Sequence, residues 1–171
     1  MIRKLAVIFY FICFACAAQA QQPTLHDPLL DHLVGHWVMT GTIAGHQVTH
    51  DVSAVWVLNH QYIEFREVSR AKNKDGDPDY QATVYIGWDQ PLAHYDCVWL
   101  DDYGSISTQS LAHAPHNGDT ISFVFQDRDD TGKFHTTFAF KSADNSWTVN
   151  MDQDADGKLS PFARTTLAPA K

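Results

Sequence analysis

The chain has 171 residues, with 20 acidic against 12 basic residues and a formal net charge of −8. An acidic chain without a basic patch does not suit nucleic acid or an anionic membrane surface, so both are excluded as expected partners. Three cysteines are too few for a disulfide-stabilised scaffold. We therefore expect a domain of ordinary size that is held together by its hydrophobic core.

Residues 1–20 have the composition of a secretory signal peptide. Arg3 and Lys4 form a positively charged start, residues 5–17 are apolar, and an Ala-Gln-Ala sequence ending at Ala20 supplies a cleavage site. The apolar run is shorter than the roughly 20 residues that span a bilayer. We therefore expect cleavage after Ala20 and export to the periplasm or the extracellular space, with an uncleaved anchor as the alternative.

Cleavage at this position leaves a short flexible lead, residues 21–26, and a single domain over residues 27–171. Cys13 and Cys16 are removed with the signal, so Cys97 has no cysteine of its own chain to pair with. Cys97 is expected to be a buried, inert thiol.

The first predicted element of the domain is a short helix that begins after Asp27. Asp27 is a good N-cap, Pro28 suits the first turn, and Gly35 can end the helix. The three leucines in between need an apolar partner. We expect this helix to plug one end of the remaining fold.

The rest of the chain alternates between short runs rich in Val, Thr and aromatic residues and nine turns rich in Gly, Asn, Asp and Pro. This pattern predicts an all-β fold, an antiparallel meander of ten strands closed into a barrel. The predicted strands are 36–44, 47–58, 61–70, 80–88, 94–101, 105–113, 120–127, 133–141, 146–152 and 158–167.

One face of these strands is strongly aromatic, which suits the interior of a closed sheet. A barrel of ten strands is wider than side chains fill easily, so we expect a ligand pocket inside. His50 lies on the apolar face between Val48 and Val52, and it is predicted to be the polar anchor of that pocket rather than a metal ligand. The other predicted lining residues are Trp56, Phe65, Trp99, Phe123, Phe125, Phe138 and Met151.

The first and the last predicted strand each contain a distinctive residue pattern. Gly35-His36-Trp37 opens the first strand, and Arg164 lies in the last strand. This combination resembles the calycin superfamily, in which a first-strand Gly-x-Trp packs its indole against a basic side chain from the final strand. The resemblance therefore implies that Trp37 and Arg164 close one end of the barrel by a cation–π contact or a hydrogen bond.

A further set of motifs lies in the middle of the chain. The set is Ile86-Gly87-Trp88-Asp89, then Tyr95, then the run 99–104, which reads Trp-Leu-Asp-Asp-Tyr-Gly. In combination these motifs are similar to a bacterial family of secreted or cytosolic lipocalin-like domains of unknown function. The family more often has Gly-Tyr-Asp where this chain has Trp88. The resemblance covers residues 33–167 and implies a lipocalin-like barrel, and it supplies no catalytic residues.

No metal or cofactor site is predicted. The ten histidines show neither His-x-His nor His-Glu-x-x-His spacing. Residues 152–157 match the first half of an EF-hand calcium loop, but Ala163 stands where a bidentate Glu is required. A hairpin turn with Asp and Gly explains the same run.

The predicted function is binding of a small apolar or amphipathic molecule inside an exported barrel. One alternative is a barrel filled by its own side chains that acts through its surface. A second is an isomerase or cyclase, since barrels of this kind can host such chemistry, although no catalytic residue is predicted. A third is a haem barrel like the nitrobindins, but these have a proximal His near the C-terminus, and no His follows His135 here.

Overall fold

The computed structural model describes residues 25–104, 110–126 and 132–171. Ten antiparallel strands form a closed barrel in which each strand pairs with its neighbours in sequence and the first strand pairs with the last. The predicted all-β meander is confirmed. No helix in these three segments is long and apolar enough to cross a membrane. The elements are α1 (Pro28–Asp31), β1 (Gly35–Ile43), β2 (His46–Val57), β3 (Tyr62–Ser69), β4 (Gln81–Asp89), β5 (His94–Asp101), β6 (Leu111–Pro115), β7 (Thr120–Gln126), β8 (Gly132–Lys141), β9 (Ser146–Ala155) and β10 (Lys158–Pro169).

Two strands differ noticeably from their predicted bounds. The predicted strand 105–113 overlaps β6 only at its end, and residues 105–109 lie outside the described residues. Strand β9 continues beyond residue 152 because the following residues pair with both β8 and β10. The β9–β10 turn is formed by Asp156 and Gly157, whose φ angles of 54° and 78° are those of a tight hairpin. The run that matches half of a calcium loop is therefore a β-hairpin.

Helix α1 lies at one end of the barrel. The Asp27 side chain accepts hydrogen bonds from the backbone N–H groups of Leu29 and Leu30, at 2.9 and 3.0 Å, so it is the predicted N-cap. Leu29, Leu30 and Leu33 are buried in the same core as the strands. Burial of each leucine stabilises the fold by about 1.5–3 kcal/mol. The predicted plug is therefore present and packed.

Two indoles from the barrel attach this segment through its backbone. Trp37 in β1 donates from Nε1 to the carbonyl oxygen of Leu33 at 2.8 Å. Trp147 in β9 donates from Nε1 to the carbonyl oxygen of His32 at 3.2 Å. Carbonyls at a helix C-terminus lack partners within the helix, so these two bonds supply donors for the carbonyl oxygens of His32 and Leu33.

The interior beneath the helix is densely packed with aromatic rings. The Phe65 and Phe123 rings each meet the Phe138 ring edge to face, with centroids 5.8 and 6.3 Å apart. All three side chains are almost completely buried. We call this region the closed half of the barrel, and it comprises the helix leucines together with Ile63, Phe65, Ile86, Ile121, Phe123, Phe138 and Trp147.

Candidate functional site

The other half of the interior holds a cavity of about 890 Å³. Its wall includes the end of β1, the beginning of β2 and the end of β5, all remote from α1. We call this region the open half. A volume of this size is typical of sites for small organic ligands. The main apolar residues of the wall are Ile43, Val48, Trp99, Leu100, Phe125, Phe134, Met151 and Phe162.

A buried polar pair lies on the cavity wall. His50 in β2 and Glu67 in β3 are on neighbouring strands, and their side chains are only 4 % and 2 % exposed. Both point inward because each alternates with buried apolar residues of its own strand. His50 donates from Nδ1 to Glu67 Oε1. This bond orients the imidazole and satisfies one oxygen of the carboxylate.

The second carboxylate oxygen, Glu67 Oε2, is buried and accepts no hydrogen bond from any described residue. A buried carboxylate is costly unless both its charge and its lone pairs are compensated. Glu67 lines the cavity, so a rotation of its side chain would turn this oxygen toward an N–H or O–H group of a bound molecule. The pair is therefore suited to anchor a ligand that donates a hydrogen bond.

Two further polar aromatic residues adjoin this pair. Trp99 donates from Nε1 to the phenol oxygen of Tyr80 at 3.2 Å, and the Tyr80 ring lies 5.9 Å from the ring of His50. Burial raises the pKa of Tyr80, and the charge of Glu67 raises it further. The phenol is therefore neutral at physiological pH and keeps an O–H group that can donate to a ligand.

The described wall of the cavity is negatively charged. Asp79 and Asp101 join Glu67 in it, and no described wall residue is Lys or Arg. Partial burial raises the pKa of Asp101, an effect opposed by the hydrogen bond that it accepts from the Tyr103 N–H at 3.1 Å. Such a lining attracts cations and hydrogen-bond donors and repels carboxylates.

The eight residues that the sequence predicts to line the pocket lie in three different regions of the structure. His50, Trp99, Phe125 and Met151 lie on the cavity wall. Phe65, Phe123 and Phe138 belong to the closed half instead. Trp56 lies beside α1, where its Nε1 donates to Asp31 Oδ1 at 2.9 Å and its ring stacks on His60 with centroids 4.1 Å apart.

Trp37 and Arg164, expected to close one barrel end together, do not meet. Trp37 lies near the start of β1, whereas Arg164 is opposite Thr42 near the other end of that strand. Ala163 and Thr165, the residues on either side of Arg164, are both buried, so alternation turns the Arg164 side chain outward. Arg164 forms an ion pair with Asp152 on β9. The Trp37 end is closed by α1.

Several wall residues are absent from the sequence-based set, and Glu67 is the most important of them. Tyr80, Phe134, Thr136 and Phe162 are among the others that add aromatic or polar character. A signal for Glu67 exists in the sequence, because it continues the inward alternation of Ile63 and Phe65. A carboxylate in that position requires a buried partner, and His50 is the partner.

The hydrogen bond between His50 and Glu67 limits the number of side chains in the cavity that could hold a metal ion or a haem iron. His46 and His50 are the two imidazoles among its described wall residues, and His46 is exposed. His50 Nδ1 is engaged by Glu67, which leaves Nε2 as its one possible ligand atom. No group of three potential metal ligands converges in the described part of the cavity. The site is suited to an organic molecule.

Comparisons with known proteins find no match to a family model and no significant sequence match to a curated protein. The closed antiparallel barrel of ten strands is consistent with a lipocalin-like fold. What this barrel binds therefore has to be argued from the cavity itself.

Proposed function

We propose that the protein is an exported lipocalin-like barrel that binds a small amphipathic molecule with a cationic or hydrogen-bond-donating head group. The proposal depends above all on one observation, the unpaired oxygen Oε2 of Glu67 in the wall of a large cavity. The head group donates to this oxygen. The body of the ligand lies against apolar side chains such as Phe125, Phe134 and Met151.

The charge of the wall distinguishes between classes of amphiphile. A fatty acid would bring its carboxylate to a wall that contains Glu67, Asp79 and Asp101 and no described basic residue. An amine or an alcohol of the same length avoids this repulsion, and either one satisfies Glu67 Oε2. The amine also neutralises the buried charge, so we expect it to bind most tightly.

The alternative of a barrel that acts only through its surface does not account for this interior. A barrel filled for stability alone would be expected to place apolar side chains where His50 and Glu67 lie, because buried polar groups rarely improve stability over well-packed apolar residues. Retention of a carboxylate with one unpaired oxygen favours a binding role.

The first experiment is native mass spectrometry of protein purified from its own organism. A discrete excess mass that is lost on denaturation would identify a natural ligand. The observed polypeptide mass also tests export, since cleavage after Ala20 removes residues 1–20 from the chain. A full-length mass in the cell interior would contradict the export part of the proposal.

The head-group preference can be tested with three probes of equal chain length, decylamine, decanol and decanoate. Binding is followed by tryptophan fluorescence, because Trp99 lies on the cavity wall. We expect the order amine, then alcohol, then carboxylate, with at least about a tenfold difference between amine and carboxylate. Equal or tighter binding of decanoate would contradict the proposed head group.

The role of the anchor is tested by Glu67→Gln, with Glu64→Gln as the matched control. Glu64 lies on the same strand but outside the cavity, where it accepts a hydrogen bond from the Tyr85 hydroxyl at 2.9 Å. We expect Glu67→Gln to weaken decylamine binding at least about tenfold, because the charge-assisted hydrogen bond is lost. Glu64→Gln should leave it unchanged. Equal effects of the two substitutions would overturn the assignment of Glu67.

A further inference from the structure

Three potential metal ligands converge on the outside of the barrel, near the end that α1 closes. His94 and Asp96 are two residues apart on β5, so their side chains leave the sheet on the same face. His113 on β6 is the register partner of Asp96 and shares that face. We call these three residues the outer histidine cluster.

The ligand atoms of this cluster are already close together. His94 Nε2 lies 2.9 Å and His113 Nδ1 lies 2.7 Å from the same oxygen, Asp96 Oδ1. Zinc bonds of about 2.0–2.1 Å in a tetrahedral site place ligand atoms about 3.3 Å apart, so small side-chain rotations would admit an ion. Two imidazoles and one carboxylate are a common ligand set for first-row transition metals.

A second observation singles out His94. Its Nε2 atom is buried and makes no hydrogen bond to a described residue, although Asp96 Oδ1 is only 2.9 Å away. A buried ring nitrogen without a well-aligned partner is uncommon and needs an explanation. Coordination to a metal through the lone pair of Nε2 would satisfy this atom.

The surroundings favour a cation and leave it accessible. Register neighbours of the cluster on adjacent strands are Asp89, Gly87, Pro115 and Val124, so none is basic and one is acidic. The side chain of His113 is 66 % exposed. An ion held here would therefore keep at least one coordination position open to solvent.

We propose that the outer histidine cluster binds a divalent first-row transition metal, for which Zn²⁺ is the probe. The site is separate from the cavity, so metal binding does not depend on the proposed ligand of the barrel. Hard ions such as Ca²⁺ prefer an all-oxygen ligand set and six or more ligands, and they do not bind here.

The test is calorimetric titration of the untagged protein with Zn²⁺ and, separately, with Ca²⁺. We expect one tight Zn²⁺ site per chain and no heat of binding from Ca²⁺. The variants His94→Gln, Asp96→Asn and His113→Gln should each weaken Zn²⁺ binding at least about tenfold, since each removes one of three ligands. All three residues are on the outer face, so the thermal unfolding temperature should change little.

The matched control is His135→Gln. His135 faces a carboxylate across a strand pair, with Nε2 3.3 Å from Asp154 Oδ2, but it belongs to no such group of three described ligands. This variant should bind Zn²⁺ as the unaltered protein does. Absence of a Zn²⁺ site, or a site that survives all three cluster substitutions, would overturn the proposal.

A spectroscopic measurement identifies the ligands independently of affinity. Co²⁺ in a site with nitrogen and oxygen ligands absorbs visible light according to its geometry. We expect one equivalent of Co²⁺ to give such a band and Zn²⁺ to displace it. In the His94→Gln variant the band should be lost or shifted, and an unchanged band would show that the metal lies elsewhere.

Discussion

The two halves of the barrel interior are built from the same ten strands but differ in what fills them. In the closed half, phenylalanine rings interlock beneath helix α1, and residues such as Phe65 and Phe138 have almost no solvent exposure. In the open half, the same inward alternation continues, but the side chains surround a cavity of about 890 Å³. Polar side chains also face the interior in this half, and Glu67, Thr136 and His50 are the most deeply buried of them.

This difference separates stability from binding along the axis of one barrel. Close packing in one half supplies hydrophobic and dispersion energy. That energy can support a buried carboxylate in the other half, where polarity and empty volume reduce stability. The comparison predicts that equivalent substitutions in the two halves have unequal consequences.

The largest expected effect comes from truncating a ring of the closed half. Phe138→Ala should lower the free energy of unfolding by about 3–5 kcal/mol, because it leaves a cavity among close-packed rings. Phe134→Ala on the same strand removes a ring that already borders open space, and it should cost no more than about 1.5 kcal/mol. Urea denaturation of both variants measures the difference. Equal losses would mean that the two halves are not distinct in packing.

Truncation of one leucine side chain in α1 tests how much the plug contributes to stability. Leu30 has no solvent exposure, so Leu30→Ala should lower the free energy of unfolding by about 2–5 kcal/mol. The control is Leu92→Ala in the β4–β5 turn, where the side chain is 66 % exposed and the expected cost is below about 0.5 kcal/mol. A stability unchanged by Leu30→Ala would show that the helix does not contribute to the closed half.

Glu67→Gln should raise the free energy of unfolding, whereas the two truncations above lower it. The substitution removes a buried charge, and the new amide oxygen can still accept the hydrogen bond from His50, so stability should rise by about 1 kcal/mol. Thermal unfolding without ligand measures the change. A marked loss of stability would show that the carboxylate serves the fold, and it would weaken the case for a binding site at this position.

Alkaline pH compares two phenols, Tyr80 on the cavity wall and Tyr95, whose hydroxyl donates to Asp27 Oδ2 beside α1 at 2.7 Å. Burial raises the pKa of Tyr95, as does its hydrogen bond to Asp27, and burial raises that of Tyr80. In the unfolded chain both titrate near 10.0. Above that pH the unfolded state binds fewer protons at these phenols than the folded state, so their contribution to the free energy of unfolding is constant below it and falls as pH rises further. Tyr95→Phe and Tyr80→Phe should each make this fall less steep, as measured by urea unfolding between about pH 9 and 11. If neither variant alters the slope, the two phenols do not titrate as their burial implies.

The strand pattern could be predicted from the sequence because alternation and turn residues are local signals. Alternation identifies the face on which a side chain lies, but it does not give its height along the barrel axis. That height depends on the stagger between strands. Alternation alone therefore predicts Phe65, Phe123 and Phe138 as pocket lining, although they are almost completely buried and are not among the residues of the cavity wall.

The polar sites were harder to predict because each joins residues from different strands. Glu67 meets His50 through the register of β2 with β3. His113 meets Asp96 through the register of β5 with β6, across a long connection in which residues 105–109 lie outside the described residues. Single-strand motifs such as His-x-His cannot reveal a site of this kind. A correct prediction of the register between neighbouring strands would reveal both the His50–Glu67 pair and the outer histidine cluster.

The pairing of β1 with β10 has a consequence for how the chain reaches this structure. The seam joins segments from the two ends of the domain, such as Met39 opposite Leu167. Every other seam connects strands that are neighbours in sequence and can form early. Until the last strand is available, the intermediate is a curled sheet with two unpaired edges, to which strands of other molecules can add. Loss of the C-terminal strand would therefore convert a barrel without edges into an aggregation-prone sheet.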